Sequence, residues 1–365
     1  MFDIEYAKNN DNFRELKHSQ SVCKFIYLDG KKLLNLGSND YLGIATNKTL
    51  RDEFLEISKN KDYFFGSGAS RLVYTSSDEF NKLESYFEQR FCGKKATIFN
   101  TGYCANLSCI SALNGKQTLF LCDKLIHASM IDALKISKAK FKRYEHNNYE
   151  MLNDLLLKNY SKFDEMIILS ESVFSMDGDS ADIRHLCELK KEYKNVKLYI
   201  DEAHSFFVRN ELGNAHKLGL DKDIDFLLVT LGKGIGSSGA VILSNAFYKD
   251  IFVNSARSLI FSTAIPSICV AWTNFILSKD FSLTRQNLEQ NIAYLGLNGS
   301  HIQPFLTYEN SKTLELSKKL IQNGYFIPAI RPPTVAPNTS RLRISLRGDV
   351  EKSELKMLKE ILYAS

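Results

Sequence analysis

Six short runs, several of them apolar nearly throughout, constrain the fold of this chain more than any other feature. They are KATIFN (95–100), TLFLCD (118–123), EMIILSES (165–172), VKLYIDE (196–202), DFLLVTLG (225–232) and GAVILSN (239–245). A strand with one wet face alternates apolar and polar residues, whereas a strand covered on both faces need not. Helical patterns lie between the runs. Over 76–92, Phe80, Leu83, Phe87 and Phe91 mark one face, and Ser76 with Glu79 reads as a capping box. Covered strands alternating with helices predict an α/β domain built on a mainly parallel sheet.

The C-terminal part reads differently. Helical spacing over 310–322 is followed by FIPAIRPPTVAP and SRLRISLRG, two extended segments joined by a turn, and an amphipathic helix over 351–363. This predicts a smaller α+β domain. The strip LNLGSNDYLG (35–43) has turn chemistry and is expected to pack near it. The expected division is an N-terminal segment over 1–45, a large domain over 46–265 and a small domain over 266–365. A chain of 365 residues has room for both cores.

Several function classes are disfavoured early. The formal charge is +5 with no Lys/Arg block, so no nucleic-acid track is expected. The first residues, MFDIEYAKNNDNF, contain no apolar core of a secretory signal, and no apolar stretch is long enough for a membrane span. Seven scattered cysteines without a C-x-x-C pair fit reduced thiols in a cytoplasm, and neither a disulfide frame nor a zinc site.

The stretch VTLGKGIGSSGA (229–240) strips bulk from around Lys233. It is not a phosphate-binding P-loop, because Gly234 follows the lysine and no G-K-[ST] occurs in the chain. Glycines at 232, 234, 236 and 239 do not make a dinucleotide fingerprint either. Two readings remain: a solvated lysine in a glycine-rich turn, or an amine kept accessible to a bulky planar carbonyl compound, as in a Schiff base.

Four further stretches could carry chemistry. DEAH (201–204) ends a predicted buried strand, where acids face the ligand crevice of an open parallel sheet. Its letters match a helicase ATPase, but that machinery needs the missing P-loop. Asp201 is then a satisfied cap or, beside a lysine-bound pyridine ring, the partner of the ring nitrogen. FNTGYCAN (99–106) runs from a strand into a helix start, where free N–H groups attract phosphate. DKLIHAS (123–129) puts His127 at another strand's end. In SRLRISL (340–346), alternation turns Leu342, Ile344 and Leu346 to the core and Arg341 and Arg343 to the opposite face, toward cleft or solvent.

Together these segments resemble the α-oxoamine synthases, pyridoxal-phosphate enzymes of the aminotransferase-like type I fold, over roughly 33–362. The resemblance also rests on SNDYLG (38–43), FGSGASRL (65–72), VFSMDGD (173–179), FSTA (261–264) and AIRPPTVAPNTSRLRISL (329–346). It implies pyridoxal 5'-phosphate as cofactor and a seven-stranded, mainly parallel sheet. Lys233 is implied as the Schiff-base lysine, Asp201 as the partner of the ring nitrogen and His127 as the residue stacked on the ring. His204 and Ser175 would bond the cofactor, Gly102 and Tyr103 would bind it through backbone and side chain, and Thr230 would touch its phosphate. Thr263 would contact it from a neighbouring subunit, implying a homodimer with active sites at the subunit interface. Arg343 would hold the substrate carboxylate, with Asn39, Arg14 and Thr334 also at substrate-contacting positions and His127 shared between both ligands.

The last of the quoted segments favours the branch that joins L-alanine to a pimeloyl thioester of coenzyme A or acyl carrier protein. Glycine-using members, which make 5-aminolevulinate or 2-amino-3-ketobutyrate, are the alternative. Two departures stand out. SSDEFNKLE (76–84) lacks a histidine often found there, and the segment 281–300 is short for the family.

Overall fold

The computed structural model describes residues 3–16, 18–73 and 77–364. Three strands open the chain: β1 (Ser19–Val22), β2 (Phe25–Leu28) and β3 (Lys31–Asn35). Seven follow: β4 (Lys95–Phe99), β5 (Thr118–Asp123), β6 (Lys140–Tyr144), β7 (Glu165–Glu171), β8 (Val196–Asp201), β9 (Phe226–Thr230) and β10 (Ala240–Ser244). Four complete the set: β11 (Ile302–Tyr308), β12 (Tyr325–Phe326), β13 (Ala329–Ile330) and β14 (Ser340–Ser345). Contacts divide the chain into two compact units, one of Met1–Arg51, Ser175–Asp179 and Phe281–Ser365, the other of Asp52–Phe174 and Ser180–Asp280.

In the larger unit the seven middle strands form one sheet in the order β4-β10-β9-β8-β7-β5-β6. The neighbours β9, β8, β7, β5 and β6 are parallel, and β10 runs antiparallel to both β4 and β9. All six apolar runs of the sequence are strands of this sheet. The seventh, β6 (KFKRY), escaped the reading because it is an edge strand whose charged side chains face solvent. On one side of the sheet a core including Phe120, Ile167, Leu169, Leu228 and Ile242 packs on the helices Gly102–Ala112 and Ala128–Ile136. The helix predicted over 76–92 spans Asp78–Arg90, with Phe80, Leu83 and Phe87 buried. Its N-cap is Ser77, which makes no side-chain cap bond, and Ser76 of the predicted capping box lies outside the described residues.

The smaller unit holds two sheets, β1-β2-β3-β12 and β11-β14-β13. Parallel pairing of Tyr325 with Leu34 and of Phe326 with Asn35 ties its first and last segments together. The helix Asn310–Gln322 has the predicted bounds, and the last helix divides into a 3-10 turn, Lys352–Leu355, and Lys356–Tyr363. β14 departs from simple alternation. Leu342 and Ile344 are fully buried as expected, but Arg341 and Arg343 are buried as well. All six residues of β14 are buried, so neither face of the strand is open to solvent. Among the described residues no helix is long and apolar enough to cross a membrane.

One structural carboxyl has a pH signature. Glu202, just after β8, is fully buried and accepts the Ala215 N–H at 2.7 Å. Gly213 (φ +82°) lets the chain pass, because a Cβ there would lie 1.6 Å from Glu202 Oε2. Burial pushes the Glu202 pKa up from 4.5 to about 7. Between those values the folded protein keeps a proton that the unfolded chain releases, so this group's contribution to stability falls as pH rises. The full effect is roughly 3 kcal/mol at about 1.4 kcal/mol per unit. Glu202→Gln is expected to remove this slope. Denaturant midpoints at pH 5 and pH 8 check it: the wild type should lose more stability across that interval than the variant.

Candidate active site

Three neighbouring parallel strands of the large sheet end in buried acids: β5 in Asp123, β7 in Glu171 and β8 in Asp201. A buried charge survives only with partners. Asp123 accepts the N–H groups of Leu125 (2.8 Å) and Asn147 (2.9 Å) and sits 2.9 Å from His146 Nδ1. Asp201 Oδ1 accepts the Ala203 N–H at 2.8 Å, and its Oδ2 accepts Asn106 Nδ2 at 2.9 Å. Glu171 is different. Burial, reinforced by the Asp201 charge, pushes its carboxyl well above the usual range. Asp201 differs in that both of its oxygens accept N–H groups, a pattern that suits a carboxylate.

The loops beyond the strands bring the other predicted residues to the same edge. His127 is the N-cap of the helix Ala128–Ile136. Its Nδ1 accepts the Ser129 N–H at 3.3 Å and lies 2.8 Å from Ser129 Oγ. His127 is exposed, yet partial desolvation by the surrounding protein pushes its pKa down from 6.5, which favours the neutral imidazole at pH 7. The Tyr103 ring stands edge-on to it, centroids 6.5 Å apart, and the Tyr103 hydroxyl bonds Asp132. Lys233 occupies the turn between β9 and β10, closed by bonds from Gly236 N to Lys233 O and from Ser237 N to Leu231 O. Its Nζ lies 2.8 Å from Nε2 of the buried His204. Thr230, the last residue of β9, donates to the Ala203 carbonyl at 3.3 Å.

The helix Gly102–Ala112 starts beside Thr230. Thr101 caps the Cys104 N–H at 3.0 Å, and the Gly102 and Tyr103 N–H groups precede it at the helix end. A Cβ on Gly102 would lie 2.6 Å from Thr230 Cγ2, so only glycine lets the helix start sit this close to the strand end. Thr263 is exposed, and Asn100 donates to its carbonyl.

The remaining predicted residues belong to the smaller unit. Arg343 donates from Nε to the Ser175 carbonyl (2.5 Å), from Nη1 to Ser345 Oγ (2.7 Å) and from Nη2 to the Tyr41 hydroxyl (3.2 Å). The Tyr41 hydroxyl in turn donates to Asn39 Oδ1 at 3.0 Å. Arg14 and Thr334, distant in sequence, meet at 2.6 Å. Arg341 is not solvated: it pairs with Asp177 at 2.5 Å. Sequence reasoning assigned no role to Asn106, Ser129 or Glu171. Asn106 and Ser129 lie inside quoted motifs, and the available signal was a polar residue on the buried face of its helix.

This donor set fits pyridoxal phosphate. The ring nitrogen needs a buried anion, which Asp201 supplies. The aldehyde needs an amine in uncrowded surroundings, and Lys233 is flanked by glycines. The phosphate needs N–H donors, and the helix start at Gly102, held against Thr230, offers them.

Comparisons with known proteins agree. Residues 31–362 match the aminotransferase class I and II family. A Haemophilus influenzae protein provisionally named 8-amino-7-oxononanoate synthase is 41% identical over 97% of this chain and 97% of its own length. Among solved structures, 8-amino-7-oxononanoate synthase from Francisella tularensis superposes with a TM-score of 0.77 at 26% identity, over 91% of this chain and 97% of that one. A serine palmitoyltransferase from S. paucimobilis with bound PLP gives a TM-score of 0.88 over 99% and 95%, and at 22% identity it speaks for the fold alone.

The tight approach at Gly102 is testable. Gly102→Ala is expected to weaken cofactor binding by about tenfold, or ~1.4 kcal/mol, because the new methyl pushes the helix start off Thr230. Adding Thr230→Ser, which removes Cγ2 and keeps the hydroxyl, should recover most of the loss. Absorbance titration of the apoprotein with pyridoxal phosphate measures both.

Proposed function

We propose that this chain, which belongs to the aminotransferase class I and II family, joins L-alanine to a pimeloyl thioester. The reaction releases carbon dioxide and the free thiol carrier, and yields 8-amino-7-oxononanoate for biotin synthesis. The cofactor is pyridoxal 5'-phosphate. The observation that carries the reading is the convergence of Asp201, His127, His204 and Lys233 at the carboxyl ends of parallel strands, together with full-length similarity to relatives named for this activity.

When bound, pyridoxal phosphate supplies an aldehyde that condenses with amines and a ring that takes up the electron pair left at Cα. The protein's residues do the rest. Lys233 would hold the aldehyde, and its free amine would take the substrate Cα proton. Asp201 keeps the ring nitrogen cationic, and a buried partner of this kind acts most strongly as charge develops. His127 covers one ring face as a neutral imidazole. His204 and Ser175 bond the cofactor, with the phenolic oxygen as the target of His204. The Gly102 and Tyr103 N–H groups and Thr230 hold the phosphate. Arg343 grips the substrate carboxylate with N–H groups not used by Ser175, Ser345 and Tyr41. Asn39, Arg14 and Thr334 are the further residues assigned to the substrate.

A homodimer fits the large unit. The segments around 64–73 and 261–268 are bonded to each other through Ala264 N to Ala69 O and Ser67 Oγ to Ile265 O. They expose Phe65, Val73 and Phe261, apolar surface that a second copy would cover while Thr263 reaches the partner's cofactor. Seven free cysteines suit a reducing cytoplasm.

The decisive assay offers alanine or glycine with pimeloyl or short acyl thioesters. Alanine with pimeloyl thioester should give the highest kcat/KM, and preference for glycine with a short acyl group would overturn the substrate assignment. Lys233→Ala is expected to abolish turnover and the visible band of the lysine-held cofactor. Asp201→Asn should slow Cα–H exchange on alanine by roughly 10²–10³-fold, the ~3–4 kcal/mol typical of a lost electrostatic partner. Proton NMR in deuterium oxide reads that rate.

A further inference from the structure

Two buried side chains, Asn106 and Ser129, connect Asp201 to His127, and a third, Tyr199, bonds Asn106. Asn106 Nδ2 lies 2.9 Å from Asp201 Oδ2 and 3.0 Å from Ser129 Oγ. Asn106 Oδ1 accepts the Tyr199 hydroxyl at 2.8 Å. Ser129 Oγ lies 2.8 Å from His127 Nδ1. Asn106, Ser129 and Tyr199 are all at most 1% exposed, so water does not compete for these bonds.

Donor counting leaves a single proton arrangement. A carboxylate only accepts, so the Asn106 amide must turn its NH₂ toward Asp201. Its carbonyl then faces Tyr199, which donates. The second Asn106 N–H points at Ser129 Oγ, which accepts it. The Ser129 hydroxyl proton is left to point at His127 Nδ1. The Ser129 backbone N–H also points at Nδ1, at 3.3 Å. Two donors on one ring nitrogen leave no room for a proton there, so a neutral His127 carries its proton on Nε2. The His127 backbone N–H bonds the Glu171 carboxyl, which holds the ring's attachment point from β7.

We infer that Asn106 and Ser129 are positioning residues that transmit the Asp201 charge to His127 and hold its imidazole as the Nε2–H tautomer. The inference rests on the reading of His127 as the ring-stacking residue of the proposed site. It has a mechanistic consequence. The His127 nitrogen left for a ligand is a hydrogen-bond donor, so His127 cannot take the Cα proton, and Lys233 is the base. It also gives Asp201 a second task. The same charge that holds the ring nitrogen cationic orders the residue on the ring face.

The test is ¹⁵N NMR of the holoenzyme labelled at histidine, with His127→Gln used only to assign the His127 signals among the seven histidines. The expected result near neutral pH is a pyridine-like, unprotonated Nδ1 and a pyrrole-like, protonated Nε2. A protonated Nδ1 in the wild type overturns the inference without any variant. In Ser129→Ala the two resonances should move toward averaged positions as the tautomers mix. kcat should fall about tenfold while cofactor Kd stays within about threefold. Unchanged His127 shifts in that variant would also overturn it. If the variant does not fold, the wild-type spectrum still decides. The tautomer is read without substrate, so a failed alanine assay faults the proposed reaction and leaves this result standing.

Discussion

The structure turns on one buried negative charge, the Asp201 carboxylate at the end of β8. An isolated carboxylate at that depth would take up a proton to avoid the cost of desolvation. It is held instead by one backbone N–H and one amide N–H, and neither carries a formal charge. Among the described residues no Lys or Arg forms an ion pair with it. The charge is therefore hydrogen-bonded and still available to a cationic ligand group. Burial and the Asp201 charge push the neighbouring Glu171 carboxyl toward its neutral form.

The parallel sheet is what makes this possible. In parallel strands all carboxyl ends lie on one edge, so loops distant in sequence deliver side chains to the same place. Asp201 and Lys233 come from β8 and the turn after β9, and His127 follows β5. β10 then reverses direction, which lets the Lys233 turn be a short, small-residue hairpin connection. A crossover helix at that point would require a longer path and bulkier residues. The small residues around Lys233 thus serve the topology as well as access to the amine.

Much of this was legible in the sequence, for a physical reason. The six apolar runs are strands because their burial on both faces leaves an unambiguous pattern, and the motif residues stand at their ends. What was illegible depends on neighbours. β6 reads as polar because it is an edge. Residues 175–179 belong with the smaller unit, and nothing in their composition marks it. Asn106 is one of several polar letters in a mostly apolar helix until its three partners, at 129, 199 and 201, are known. Donor geometry across elements is a property of the fold, so no local window holds it.

The two arginines of β14 show the same limit and also how structure resolves it. Alternation treats Arg341 and Arg343 alike, since both face the same side of one strand. Their surroundings differ in charge. Arg341 meets the Asp177 carboxylate, so its charge is neutralised inside the protein. Arg343 is as deeply buried, yet its partners are a carbonyl and two hydroxyls, all neutral. Those bonds fix the orientation of the guanidinium and leave its charge uncompensated among the described residues. Burying such a cation costs stability, and replacing it with an apolar residue would be the more stable choice for folding alone. Local conflicts of this kind are found where function requires them. A preoriented, unneutralised guanidinium is suited to receiving an anionic group from a ligand, and on that ground Arg343, and not its neighbour, is proposed as the carboxylate grip.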